Sequence, residues 1–287
     1  METQGRETVP GVAVGAADFG LKGPRGWVFR GVGFDAAPGS LIAIAGPSGS
    51  GRTSLLLALT GRMRPGEGRV TVGEHRLPRD MSAVRRISAL AHVPGVTDLD
   101  PALTVGEHLR ERALLECRFG DSLRALLRPR ADRAARATRR IDAALAAAGL
   151  DLEPLPKRSR TAVRDLERIE ALRLSVALAL IGRPRLLAVD DTDLKLSALE
   201  RDAVWDLLRS LAAAGTTVVA VCAEAPKGAV VVSTAPDDGG RRGEESGSDA
   251  VPDERDTHKE SAPDEPSGDG DDHDKETADA LAETGRA

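Results

Sequence analysis

Apolar residues along this chain come in short runs. Leu41-Ile42-Ala43-Ile44-Ala45 and Leu186-Leu187-Ala188-Val189 are unbroken, Thr216 to Cys222 is a β-branched stretch, and Ile87 to Val93 is interrupted by Ser88 and His92. Runs of this length read as strands buried on both faces. Val12 to Ala16, Val28 to Phe34, Arg69 to Val72 and Ala229 to Val232 read as further short strands. Helical patterns lie between them. Ser54 to Thr60 is one. A second opens at Thr104, where Glu107 three residues on completes a capping box. A long Ala/Arg/Leu segment from Leu123 to Leu150 places Leu126, Ala134, Ile141, Ala144 and Leu145 on one face, and Leu166 to Ile181 and Leu196 to Ala213 complete the helical set. Strands alternating with helices predict an α/β domain around a largely parallel sheet.

Two strand ends carry chemistry. After Leu41–Ala45 comes Gly46-Pro47-Ser48-Gly49-Ser50-Gly51-Arg52-Thr53, followed by the helical Ser54 to Thr60. This is a phosphate-binding loop, Gly, four residues, Gly, Lys, then Ser or Thr, with Arg52 in the lysine position. Glycines let the backbone come close to phosphate oxygens. Successive N–H groups cradle the anion, and the helix start adds partial positive charge. Thr53 offers a hydroxyl to Mg²⁺. Arg52 keeps the charge as a planar fork rather than a compact ammonium, a change that matters at such a site. The second end is Arg185-Leu186-Leu187-Ala188-Val189-Asp190-Asp191, an apolar strand closing on two carboxylates.

Charge divides the chain. Residues 235–287 hold 18 acidic and 6 basic residues, a net of −12, which leaves 34 basic and 27 acidic residues, a net of +7, in 1–234. The acidic segment lacks aromatics and is rich in Gly, Pro and Ser, so it is expected to be disordered, either a solvating appendage or an intramolecular partner for the basic domain. Residues 1–9 are expected to be flexible. Arg124, Arg128, Arg130, Arg133, Arg136, Arg139 and Arg140 make the 123–150 segment strongly basic, as a solvated face or as a contact surface for a partner, an anionic membrane or the acidic segment. No apolar run approaches the ~20 residues of a membrane span, and the N-terminus has no apolar leader region, so a cytoplasmic location is expected. Cys117 and Cys222 are lone thiols without ligand spacing, read as small buried apolar residues, and the five histidines are scattered.

Residues 10–234 resemble the nucleotide-binding domain of an ATP-binding cassette (ABC) transporter. The resemblance rests on the two strand-end motifs, on Gly39-Ser40-Leu41 before the loop, on Leu103-Thr104-Val105-Gly106-Glu107-His108-Leu109, which is similar to the family's "LTV-x-EN" helix start, and on Ala179 to Leu187. It implies a P-loop NTPase fold of ABC type: a parallel core sheet, an antiparallel β subdomain and an α-helical subdomain over about 96–182. It implies ATP and Mg²⁺ as ligands. Gly46, Ser48, Gly49, Ser50, Gly51, Arg52, Thr53 and Ser54 would hold phosphate, Thr53 and Asp190 the metal. Phe19 would stack on adenine or serve as a core residue; Trp27 is a second candidate for stacking.

Several matched positions depart from the family pattern. Asp191 stands where a glutamate polarises the attacking water; its carboxylate is retracted by ~1.5 Å, about one carbon–carbon bond, and a base must reach its proton. Gly95 replaces the glutamine that senses Mg²⁺ and couples to the transmembrane partner, and Ala223 replaces the switch histidine. Leu166-Glu167-Arg168-Ile169-Glu170 aligns with the "LSGGQ" signature, which in the family caps ATP on the opposite subunit. Here a carboxylate approaches phosphate, and two side chains block the backbone where glycine allowed contact. Asp193-Leu194-Lys195-Leu196-Ser197 replaces the segment ending in the dimer-contact aspartate. Groups for ground-state binding survive, while those specific to the transition state are weakened, and catalysis depends on the latter. The expectation is an ATP-binding subunit with weak or absent hydrolysis, peripheral at the inner face of the membrane, with Asp191 as its remaining catalytic group. Its partners would be a permease on a separate chain and a second ABC domain in a homo- or heterodimer. The alternative is a regulator or adaptor that uses ATP only as a ligand. Nucleic acid is the least favoured partner, because the basic stretch has no interleaved aromatics for base stacking.

Overall fold

Five strands carry the centre of the structure, a computed structural model that describes residues 10–119, 129–193 and 195–234. All of these fall within Met1–Gly240, the first of two units of the chain. The segments 1–9 and 235–287, together with Leu123, Arg124, Leu126, Arg128 and Leu194, lie outside the described residues, as do the side chains of Cys117 and Arg130.

The strands β3 (Leu41–Ala45), β6 (Ser88–Ala91), β7 (Leu186–Val189), β8 (Thr217–Cys222) and β9 (Val230–Ser233) form a sheet of order β6-β7-β8-β3-β9. All its pairs are parallel. Apolar runs fit because both faces are covered. Leu41 and Ala43 of β3 face one core with Leu187, Val189, Val218 and Ala220. Ile42 and Ile44 face the other with Leu186, Ala188, Val219 and Val221.

The first core is closed by α3 (Val105–Phe119), α4 (Arg130–Ala148), α5 (Arg168–Ile181) and α6 (Ala198–Ala213). The second is closed by α1 (Arg52–Leu59), α2 (Met81–Ile87) and an antiparallel sheet of order β2-β1-β4-β5, made of β1 (Val14–Gly23), β2 (Gly26–Ala36), β4 (Glu67–Val72) and β5 (His75–Leu77). This is the α/β architecture expected, with parallel and antiparallel sheets and a helical layer.

Local rules explain several boundaries. Thr104 and Glu107 form the expected capping box, Glu107 accepting the Thr104 N–H at 2.8 Å; this bond holds the Glu107 carboxyl below its ordinary value. The buried stripe of α4 runs through Ala144, Leu145 and Ala148, with Ala137 and Ile141 partly buried beside it, while Ala134, expected on this face, is exposed. Ala134 stands three residues before Ala137, beyond the reach of the packed layer. The strand expected over Ile87 to Val93 begins one residue later and is shorter. Met81–Ile87 forms a helix, and its last residue packs into the second core.

Candidate functional site

The loop after β3 and the carboxylates after β7 meet at the carboxyl edge of the parallel sheet, with β8 between their strands. Binding crevices of open α/β sheets form at such edges. Gly51 is the N-cap of α1 in left-handed conformation, φ 85°. A Cβ there would lie 2.5 Å from the Val28 carbonyl oxygen, so the close approach of β2 to the loop also demands glycine. No acidic residue occupies the first turn of α1 and no side chain caps it, which leaves its N–H groups open to an anion. Ser48 and Gly49 are exposed, and Gly46, Ser50 and Ser54 are half-buried around them.

Thr53 and Asp190 come together across the sheet: the Thr53 hydroxyl donates to Asp190 Oδ2 at 2.7 Å. Asp190 Oδ1 accepts the Asp191 N–H at 2.9 Å. Burial pushes the Asp190 carboxyl up, against the pull of Thr53. A desolvated carboxylate beside a hydroxyl, next to a cradle for phosphate, is a donor set that fits Mg²⁺, which takes one or two carboxylates and completes its shell with phosphate and water. Asp191 follows with φ 47°, an uncommon conformation for a non-glycine residue and one that clusters at functional sites. Arg52 Nη1 donates to the Cys222 carbonyl, at the end of β8, at 2.6 Å.

The departing positions are also accounted for. The Ala223 N–H donates to Asp193 Oδ2 at 2.5 Å, which ties the end of β8 to the segment after Asp191. Gly95 is exposed, with φ 74° and open space where a Cβ would lie. Ser197 caps α6 in a reciprocal box with Glu200, a pairing legible as Ser-x-x-Glu in the sequence but not used there. At the start of α5, Glu167 is the N-cap and Glu170 accepts its N–H at 2.8 Å, again in a reciprocal box.

Phe19 needs correction. It is fully buried on β1, packed edge-to-face on Phe29 with ring centroids 5.2 Å apart, and has no face left for a base. A bulge displaces it: the β1–β2 register shifts between Ala16 and Phe19, where Asp18 takes φ 51°. The aromatic beside the loop is Trp27, 40% exposed. It lines a cavity of about 510 Å³ with Val28, Phe29, Arg30, Gly31, Ser50 and Thr234. Ser50 and Thr234 share a hydroxyl hydrogen bond of 2.5 Å. Trp27 is the second residue of β2, and nothing in its local sequence ranks it above Phe19.

A second cavity, of about 680 Å³, opens beside β6 near Gly95. Arg62, Arg85, Arg86 and Arg112 line it with one acid, Glu116, which pairs with Arg112 at 2.7 Å. Burial, then the charges of Arg85 and Arg112, lower the Arg62 guanidinium to about 10. These arginines come from three separate stretches of the chain, Arg85 and Arg86 being neighbours on α2. Among the described residues no cluster of three or more His, Cys, Asp or Glu could hold a metal, and no helix is long and apolar enough to cross a membrane.

A family model described as ABC transporter matches residues 29–193. The Nod factor export ATP-binding protein I of Rhizobium meliloti (strain 1021) is 31% identical over 193 residues, 67% of this chain and 51% of that protein. Its namesake in Cupriavidus pinatubonensis (strain JMP 134 / LMG 1197) is 33% identical over 182 residues, 63% and 49% of the two chains. The match thus spans about half the length of these curated relatives. Among solved structures, the dimeric post-hydrolysis ATP-binding cassette MJ0796 with ADP and Pi superposes with a TM-score of 0.55 at 21% identity, covering 74% of this chain and 88% of that one. The cbiO1 protein of Clostridium perfringens, part of the transporter complex cbiONQ, gives 0.59 at 16%, covering 74% and 78%. At these identities the structures show a shared fold.

Proposed function

The chain belongs to the ABC transporter family, and from that premise we propose that it is the ATP-binding subunit of such a transporter, binding Mg-ATP and hydrolysing it slowly or not at all. The observation that carries this reading is the pairing of an open α1 start with the 2.7 Å Thr53–Asp190 contact, while Ala223 and Gly95 offer no side-chain donor. The N–H groups of Gly49 to Thr53 cradle the phosphates. Arg52 leaves the Cys222 carbonyl to donate to a phosphate oxygen. Thr53 and Asp190 would hold Mg²⁺, which would neutralise phosphate charge. Asp191 is the remaining base, one methylene short of the reach the attacking water requires.

The partners on this reading are a permease on a separate chain and a second ATP-binding domain, with the subunit peripheral at the inner face of the membrane. The R. meliloti relative is by name an export ATP-binding protein, and cbiO1 is part of a transporter complex. The arginine-lined cleft beside Gly95 suits an acidic element of a partner. A second reading, a regulator that uses ATP only as a ligand, is favoured by one observation: the α5 start is filled by its own carboxylates and offers no phosphate site to a partner subunit.

Calorimetry with Mg-ATP and a phosphate-release assay under the same conditions test both readings, with Arg52→Ala as control. Binding without turnover supports the proposal. Fast turnover lost in the control makes Asp191 an adequate base, and absence of binding overturns the nucleotide reading.

A further inference from the structure

We propose that Arg30 occupies the face of Trp27 on which a nucleotide base would stack, so that the base enters only by displacing Arg30 and adds little to an affinity set by the phosphates. This rests on the nucleotide reading above and concerns the part of the ligand that reading leaves undetermined.

The cavity beside the phosphate loop shares Ser50 with it, and Val28 touches the loop at Gly51. A ligand whose phosphates lie on the loop therefore carries its next group toward Trp27. Trp27 is the exposed aromatic there, but its ring is already engaged. The Arg30 guanidinium carbon lies 4.6 Å from the ring centroid, and Lys22, the cross-strand partner of Trp27, places Nζ at 5.8 Å. Arg30 Nε donates to Glu67 Oε2 at 3.3 Å, which steadies the guanidinium over the ring. The Arg30 side chain is 62% exposed, so it has room to swing into solvent. Guanidinium and base compete for the same π surface, since each gains from the electron-rich face of an indole. Arg30 is thus a positioning residue: it decides what the base contributes and leaves the phosphate contacts untouched.

The test compares Mg-ATP with inorganic tripolyphosphate, which carries the phosphates and no base, by calorimetry on the full chain. In the wild type the two bind within about tenfold of one another. Arg30→Ala, and Arg30→Gln, which keeps a polar side chain without charge, tighten ATP about two- to fivefold, the scale of one surface cation–π contact, and leave tripolyphosphate unchanged. Arg30→Lys restores the wild-type ratio. Trp27→Ala makes the two ligands equivalent, and adding Arg30→Ala to it changes nothing further. Wild-type ATP binding more than about 100-fold tighter than tripolyphosphate overturns the proposal. So does an ATP affinity that Arg30→Ala leaves unchanged, or one that it weakens, which would make the guanidinium itself the stacking platform. If neither ligand binds the wild type, the nucleotide reading falls and this inference with it.

Discussion

Two helix starts in this molecule have opposite fates. Every α-helix begins with unpaired N–H groups and partial positive charge. At α1 that end is left open: the N-cap is Gly51, no side chain caps it, and the first turn holds no acid. At α5 it is filled: Glu167 and Glu170 cap each other's backbone. On the reading proposed above both starts correspond to places where the family meets phosphate, and only α1 is free of acid in its first turn. An open helix end costs some fold stability and gains a ligand site; a capped one does the reverse.

The most direct way to break the comparison is to damage the open end. Gly51→Ala must place a Cβ in left-handed backbone, against the Val28 carbonyl. Its cost is about 3 kcal/mol, from left-handed strain plus a forced contact, read as a lower denaturation midpoint together with loss of Mg-ATP binding. Gly95→Ala, at similar φ but in open space, costs only about 1 kcal/mol. Near-equal costs at the two sites would show that the approach of β2 does not constrain the loop.

Opening the closed end is the converse. Glu167→Ser, Arg168→Gly and Ile169→Gly together leave phosphate release near background. Combined with Asp191→Glu and Ala223→His they raise it about 100-fold or more, within the range of acid–base groups brought into reach. A combined variant that stays inert would mean that these departures are not what limits turnover.

Smaller effects sharpen the stability side. Ser197→Ala removes the α6 cap and costs about 1 kcal/mol, measurable by chemical denaturation; no change would make the Ser197–Glu200 box ornamental. The smallest effect is a pH slope. Burial, then Arg168, hold the His92 imidazole below its ordinary value. The unfolded chain therefore takes up the proton more readily. Stability is complete above about pH 6.5, the unfolded value, and falls as pH drops toward the lower folded value. His92→Gln flattens that slope in pH-dependent thermal melts; an unaltered slope assigns it to other groups.

Strand-end motifs were legible because their chemistry is local. Gly46 to Thr53 and Val189 to Asp191 keep their spacing whatever surrounds them, and the apolar runs of β3, β7 and β8 need only two covered faces. Of the two roles expected for Phe19, the core one has a physical cause: a bulge at Asp18 rotates the next side chain inward, and one residue of slip moves a strand residue to the other face. The helix over Met81–Ile87 was missed because it is short and its only fully buried residue is Val84.

The sequence by itself determined the phosphate loop, the carboxylates after β7 and the order of the longer elements, since these depend on neighbours within a few positions. Only the tertiary structure decided that Trp27 rather than Phe19 faces the loop, that Arg30 lies over it, that Thr53 meets Asp190 and that four arginines share a cleft. The Thr53–Asp190 contact and the arginine cleft join residues from separate elements, about which chain spacing carries no information, and Trp27 and Arg30 share β2 but meet through the irregular β1–β2 register that only the folded sheet sets.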